Sequence, residues 1–258
     1  MEQSWEKTIF VCGDDLESIL TAVYEAWASR KGHSHVKLEI QKEDTMELFS
    51  TYVPVEKDSE KAGKVMRSIR QKIGEEAWSM VYRAALSEHE SRADDIYRFL
   101  IGGFYYGPKA LKMLAEPAVY RLMELNRAVG NESHFFKEFL RFDEREGHVL
   151  FGRFRPKNNV ISLVMPHFAD RLPRENFLIL DMGRSLAGVH PAGGEWYLAS
   201  LAPEVAEELM SVKADGYRDL WKTFYQAIAI KERKNEKLQR NMMPLRYREY
   251  MTEFLEEG

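Results

Sequence analysis

His167, Asp170 and Arg171 lie within Met165-Pro-His-Phe-Ala-Asp-Arg-Leu-Pro173, the densest run of chemically capable side chains in the sequence. His167 and Asp170 are three residues apart, so one helical turn puts them on the same face. A carboxylate in that place can orient an imidazole for acid–base work, and Arg171 can hold a phosphate or carboxylate. Asp181 and Arg184, across the following strand and turn, can converge on the same point. The competing reading makes His167 a buried hydrogen-bonding histidine and Asp170–Arg171 a local cap or ion pair. A metal held by His167, Asp170 and Asp181 matches no standard ligand spacing, so neither a metal site nor a cofactor is expected.

A different chemistry is suggested between Arg218 and Tyr250. Nine basic residues (Arg218, Lys222, Lys231, Arg233, Lys234, Lys237, Arg240, Arg246 and Arg248) face four acidic ones in a chain whose net charge is −4. Trp221, Phe224, Tyr225, Tyr247 and Tyr250 are interleaved with them. Cations neutralise phosphates and aromatic faces stack on bases, so this combination points to nucleic acid. Arg233, Asn235, Lys237, Gln239, Arg240, Arg246 and Tyr247 are the residues expected to carry such binding. A solvated helix face followed by a docking tail is the alternative.

Several classes are excluded by what the sequence lacks. Cys12 is the single cysteine of 258 residues, so one chain can complete neither an intrachain disulfide nor a cysteine-ligated zinc or iron–sulfur site. It closes the apolar run Ile9-Phe10-Val11 and reads as a small buried hydrophobe. There is no P-loop, no GxGxxG after a strand, no GxSxG and no HExxH. No apolar run is long enough to span a bilayer, and the first residues lack the features of a secretory signal. A cytoplasmic protein with no membrane partner is expected.

The elements that must position these residues alternate in type. Thr8–Cys12, 36–40 and 48–55 read as strands, with Asp15 capping a helix from Leu16 and Asp58 or Ser59 capping another. From Glu75 to Lys137 the pattern is helical, and Gly102-Gly103, Gly107-Pro108, Pro117 and Gly130 are expected to divide it. Phe139–Phe142 and Val149–Phe154 suggest a hairpin around 146–147. Phe177–Asp181, Leu186–His190 and Trp196–Leu201 suggest an antiparallel meander. The expected fold is α+β: one largely helical domain over 1–258, with antiparallel strands in the N-terminal part, a central hairpin and meander, and a basic helical segment over 214–258.

Taken together, these segments resemble a bacterial family of DNA-metabolism and DNA-repair proteins catalogued as a domain of unknown function. The resemblance rests on Phe10-Val-Cys-Gly-Asp-Asp-Leu-Glu-Ser-Ile-Leu20, Phe139-Leu-Arg-Phe142, Pro166-His-Phe-Ala-Asp-Arg-Leu-Pro173, Ile179-Leu-Asp181 and Phe224 through Tyr250. Within the last, Leu238-Gln-Arg240 and Met243-Pro-Leu-Arg-Tyr247 are the most specific. Members of that family occur beside radical-SAM proteins of the spore-photoproduct-lyase type, and some are fused to a uracil-DNA glycosylase-like domain. The resemblance therefore implies a DNA-repair or DNA-modification setting, DNA and a radical-SAM protein as partners, and no agreed catalytic residues. Met182-Gly183 and Arg248 depart from the usual pattern, the latter exchanging a stacking ring for a phosphate contact. With so little sequence after Tyr250, a glycosylase-like fusion is not expected. The functional expectation is a DNA-binding accessory protein. The alternatives are a DNA- or nucleotide-directed hydrolase or lyase using His167 and Asp170, and a protein-binding module. For the partner contact, the Trp221–Tyr225 helix face and the aromatic stretch Phe99–Tyr106 are the candidates.

Overall fold

The computed structural model describes residues 7–41, 47–145, 148–202, 204–205, 244–248 and 251. The expected α+β class holds, with six α-helices and two sheets among the described residues. The chain divides into two compact units, Met1–Gly130 and Asn131–Gly258. No linker in the sequence marks this division because it falls inside a continuous helix, α5 (Pro117–Phe139).

The first unit is built on a three-stranded sheet in the order β2-β1-β3, from β1 (Lys7–Cys12), β2 (Val36–Ile40) and β3 (Ser50–Pro54). Both pairings are parallel, which corrects the expected antiparallel arrangement. The physical reason is the connection: α1 (Leu16–Ala28) carries the chain from β1 back to the starting edge before β2 begins, and such a crossover delivers a parallel strand. Asp15 caps α1, with Oδ1 accepting from the Ser18 amide at 3.1 Å and Oδ2 from the Ser18 hydroxyl at 2.7 Å. Asp58 caps α2 (Ser59–Lys72) in the same manner, accepting from the amides of Glu60 and Lys61 at 2.9 and 3.0 Å. Cys12 is buried at the end of β1, within the core formed by the sheet and helices.

α3 (Glu75–Ala85) and α4 (Arg92–Tyr106) complete the helical layer. Gly102 and Gly103 lie inside α4 rather than ending it. A Cβ on Gly103 would stand 2.6 Å from Ile73 Cδ1, so this glycine admits the side chain that follows α2. Gly130 likewise lies within α5. A breaker signal yields where tertiary packing rewards continuing the helix.

The second unit holds a five-stranded sheet in the order β4-β5-β6-β7-β8. β4 (Phe142–Arg145) and β5 (Val149–Phe154) form the expected antiparallel hairpin, but Phe139 ends α5 instead of opening a strand. Phe135 and Phe139, one helical turn apart, stack at 6.0 Å, and that contact favours one more turn of helix. α6 (Ile161–Arg171) then links β5 to β6 (Asn176–Asp181), which pair in parallel. β7 (Leu186–His190) and β8 (Tyr197–Ser200) continue antiparallel, as the meander predicted. Gly188 on β7 leaves room for Met165 of α6, whose Sδ would be 2.3 Å from a Cβ there. The expected helix over 214–258 lies outside the described residues except for 244–248 and 251, where Leu245–Tyr247 forms a short 3-10 turn.

Candidate functional site

Glu132 is the organising residue of the second unit. It lies on α5, is only 2 % exposed, and carries a carboxylate that burial would penalise without partners. Three donors meet it. Oε1 accepts from the Lys157 amide at 3.1 Å, and Oε2 accepts from the Asn158 amide at 2.8 Å and the Asn158 side-chain amide at 2.6 Å. Charge-assisted bonds of this kind are the strong ones, and here they pin the loop after β5 to the helix. Arg246 adds a longer ion pair, with Nη2 3.8 Å from Oε1.

Tyr247, beside Arg246, is 4 % exposed, and its ring lies 4.9 Å from those of both Phe135 and Phe136. Its hydroxyl accepts from Arg246. Burial pushes the Tyr247 phenol up, with Arg246 opposing, so the ring stays neutral at physiological pH. Tyr247 therefore anchors the chain by packing, while Arg246 reaches the surface with half its side chain exposed.

Further cations gather around the same loop. Arg184 Nη1 donates to the Pro156 carbonyl at 3.2 Å and to Asp181 Oδ2 at 3.1 Å, and Nη2 donates to the Lys157 carbonyl. Asp181 is fully buried. Desolvation pushes its carboxyl above the usual range, while Arg184 and the Gly183 amide at 3.0 Å pull in the other direction. Arg155 is exposed and lies next to Gly183, its Cγ 3.8 Å from where a Cβ would be. Arg155, Lys157, Arg184 and Arg246 thus stand around the ends of the parallel pair β5–β6, where Phe154 is opposite Asp181.

The predicted acid–base set is arranged differently. α6 does contain His167, Asp170 and Arg171, with Pro166 inside the helix. Among the described residues, however, no hydrogen bond or ion pair joins His167 to Asp170 or Arg171. His167 is partly buried, its ring edge-on to Phe168 at 5.0 Å. Burial lowers its pKa first, Lys137 and Arg171 lower it further, and Asp170 opposes them. Asp170 instead helps line a cleft of 590 Å³ with Pro166, Pro173, His190, Glu195 and Trp196, and His167 is not among the lining residues. Asp181 and Arg184 pair with each other.

His190, which the sequence reading passed over, is buried, stacks on Phe177 at 4.6 Å and lies 3.0 Å through Nδ1 from the Glu175 carbonyl. Burial along β7 does not alternate strictly, with Ala187, Gly188 and His190 all buried, so strand periodicity gives no sign of its inward position. Arg233, Asn235, Lys237, Gln239 and Arg240 lie outside the described residues. Among the described residues no three His, Cys, Asp or Glu side chains are grouped to hold a metal ion, and no helix is long and apolar enough to cross a membrane.

An α+β chain whose second unit ties a basic loop and a basic C-terminal turn to one buried carboxylate is the class that fold and site define. The chain belongs to the family described as domain of unknown function DUF4130, whose model matches residues 90–253. That span includes the segment 166–173 and the stretch 238–247, and leaves 10–20 outside. None of the curated proteins matches the chain.

Proposed function

We propose that the protein binds DNA through its second unit, as a cytoplasmic accessory protein of DNA repair or modification acting with a radical-SAM partner of the spore-photoproduct-lyase type. The observation that carries this reading is the Glu132 junction. It fastens Lys157, Asn158 and Arg246 to one helix, so the cations Arg155, Lys157, Arg184 and Arg246 flank a single loop. The sequence leading into Arg246 carries six basic residues between Lys231 and Arg246 against the two acidic ones Glu232 and Glu236. Cations held on a rigid base engage phosphates with little ordering cost, and such contacts position a strand without reading its sequence.

The partner assignment rests on the family resemblance and on chemical division of labour. One cysteine cannot ligate an iron–sulfur cluster, so the cluster would reside in the partner. Tyr105 and Tyr106, exposed and in edge-on contact at 4.7 Å, offer a contact surface. A hydrolytic or lytic reading has less support, because His167 and Asp170 are not hydrogen-bonded and serve different surroundings.

Fluorescence anisotropy with labelled single- and double-stranded oligonucleotides across salt concentrations tests the DNA reading. Each phosphate neutralised contributes roughly −0.9 to the log–log slope for duplex DNA. Replacing Arg233, Lys237 and Arg240 by Ala together, and Arg155 and Lys157 in a second variant, is expected to weaken binding and flatten that slope. Unchanged affinity in both would remove this surface from consideration. For the partner, mutual strengthening of DNA affinity by the same factor is expected, and its absence would dismiss the association.

A further inference from the structure

The first unit carries its own set of cations, which the DNA-binding reading does not use. Lys64, Ser68 and Lys72 recur every four residues along α2 and therefore share one edge of that helix. Opposite them are Tyr24, Trp27 and Arg30 at the end of α1, with Phe104 of α4. Together they line a groove of 450 Å³, within the ~300–1,000 Å³ range of small-molecule sites.

Rings and charges are interleaved in this groove. Lys64 Nζ stands 5.9 Å from the Tyr24 ring centroid, Lys72 Nζ stands 5.7 Å from that of Phe104, and Trp27 meets Phe104 edge-on at 5.3 Å. Arg30, Lys64 and Lys72 all line it, and no carboxylate does. Lys64 also pairs with Glu60 at 2.7 Å, on a carboxylate whose side chain is 78 % exposed.

Arg30 supplies an independent observation. Its φ is +53°, in the left-handed region just past the end of α1, where glycine is the cheap residue. A charged side chain kept at a strained backbone position, and lining a groove, is the pattern of strain retained for a ligand.

We propose that this groove binds a single nucleotide, its base against the Tyr24–Trp27–Phe104 rim and its phosphate among Arg30, Lys64 and Lys72. A bare anion would leave the rings unused, and an apolar ligand would leave Arg30 and Lys72 without a counter-charge in the groove. A flat ring bearing a phosphate satisfies both. The volume suits one nucleotide rather than a strand. Apart from Phe104, these residues precede the 90–253 family match, so the site is independent of the DNA-binding reading.

Calorimetric titration of the full chain with 2′-deoxyadenosine 5′-monophosphate tests it. Saturation at one nucleotide per chain is expected, with deoxyadenosine and ribose 5-phosphate each at least ~10-fold weaker, a step of 1.4 kcal/mol. The Lys64→Ala/Lys72→Ala double variant is expected to lower nucleotide affinity at least fivefold, roughly 1 kcal/mol. Arg30→Gly should weaken nucleotide binding while raising Tm by about 2 °C, because it relieves the backbone. The Arg155→Ala/Lys157→Ala variant should bind the nucleotide unchanged, which keeps this test separate from that of DNA binding. No saturation at millimolar nucleotide would overturn the proposal. So would inorganic phosphate binding as tightly as the nucleotide, or an Arg30→Gly variant with undiminished affinity. An oligonucleotide that outbinds the nucleotide, and loses that advantage in the double-lysine variant, would overturn the choice of a single nucleotide.

Discussion

The Glu132 junction and the α1–α2 groove are both clusters of charge on helices, and they differ in what answers the charge. At the junction a buried carboxylate is saturated by two backbone amides and a side-chain amide. In the groove three cations line open space beside aromatic rings, and among the described residues only Lys64 of the three has an ion pair. Saturation in a buried place is the mark of a group that holds structure, since leaving its partners unmet would be costly. Cations turned toward a cavity contribute little to the fold and are available to a ligand. The comparison separates residues that build a surface from residues that use one, although both kinds are acidic or basic in the sequence.

The largest test of this distinction is Glu132→Ala. Removing the acceptor takes the shared partner from the two buried Asn158 donors and the part-buried Lys157 amide, so a loss of about 3 kcal/mol in urea unfolding is expected. Glu132→Gln keeps part of the acceptor set and should lose less than half of that. The Lys64→Ala/Lys72→Ala variant should unfold at essentially the parent's urea midpoint. If the lysine variant proved as unstable as Glu132→Ala, the distinction would collapse.

Arg246→Ala sharpens the same comparison from the rim of the junction. At 3.8 Å and half exposed, its pair with Glu132 should contribute under ~1 kcal/mol. DNA affinity, in contrast, should fall. A stability loss matching that of Glu132→Ala would make Arg246 an integral strut.

The smallest expected effect is at His167. Its pKa is held below the ordinary value of about 6.5, first by burial and then by Lys137 and Arg171. The unfolded chain therefore takes up this proton at higher pH than the folded one. Stability linked to His167 is complete above pH ~6.5 and is lost as pH falls through the unfolded pKa toward the folded one. Between pH 7.5 and 5.5 the parent should lose more stability than His167→Gln, compared by urea midpoints. The reverse order would mean that Asp170, not the neighbouring cations, governs the ring.

Local rules made much of the fold legible. The Asp15 and Asp58 caps, β2, and the β6–β8 meander all follow from nearest-neighbour chemistry. What escaped depends on contacts distant in sequence. Glu132 sits in Asn131-Glu132-Ser133, a polar triplet that gives no sign of burial, because its partners are 25 and 26 residues away. Asp170 and His190 share a cleft although far apart in sequence, so spacing favours His167 instead. The direction of β1–β3 is not legible from strand periodicity, which is the same in parallel and antiparallel pairs. Only the helical crossover distinguishes them.

Cys12 gives the first unit a built-in clock. The thiol is 1 % exposed, donates toward the Glu39 carbonyl at 3.6 Å, and is pushed up to about 12 by burial. The thiolate is the form that attacks thiol reagents, so the closed sheet should be inert to them. As the chain's single sulfhydryl, it becomes reactive only when β1 parts from β2 or the unit opens further. Its modification rate under native conditions is then a direct reading of how often the parallel sheet comes undone, with no label to introduce and no second site to confuse the signal.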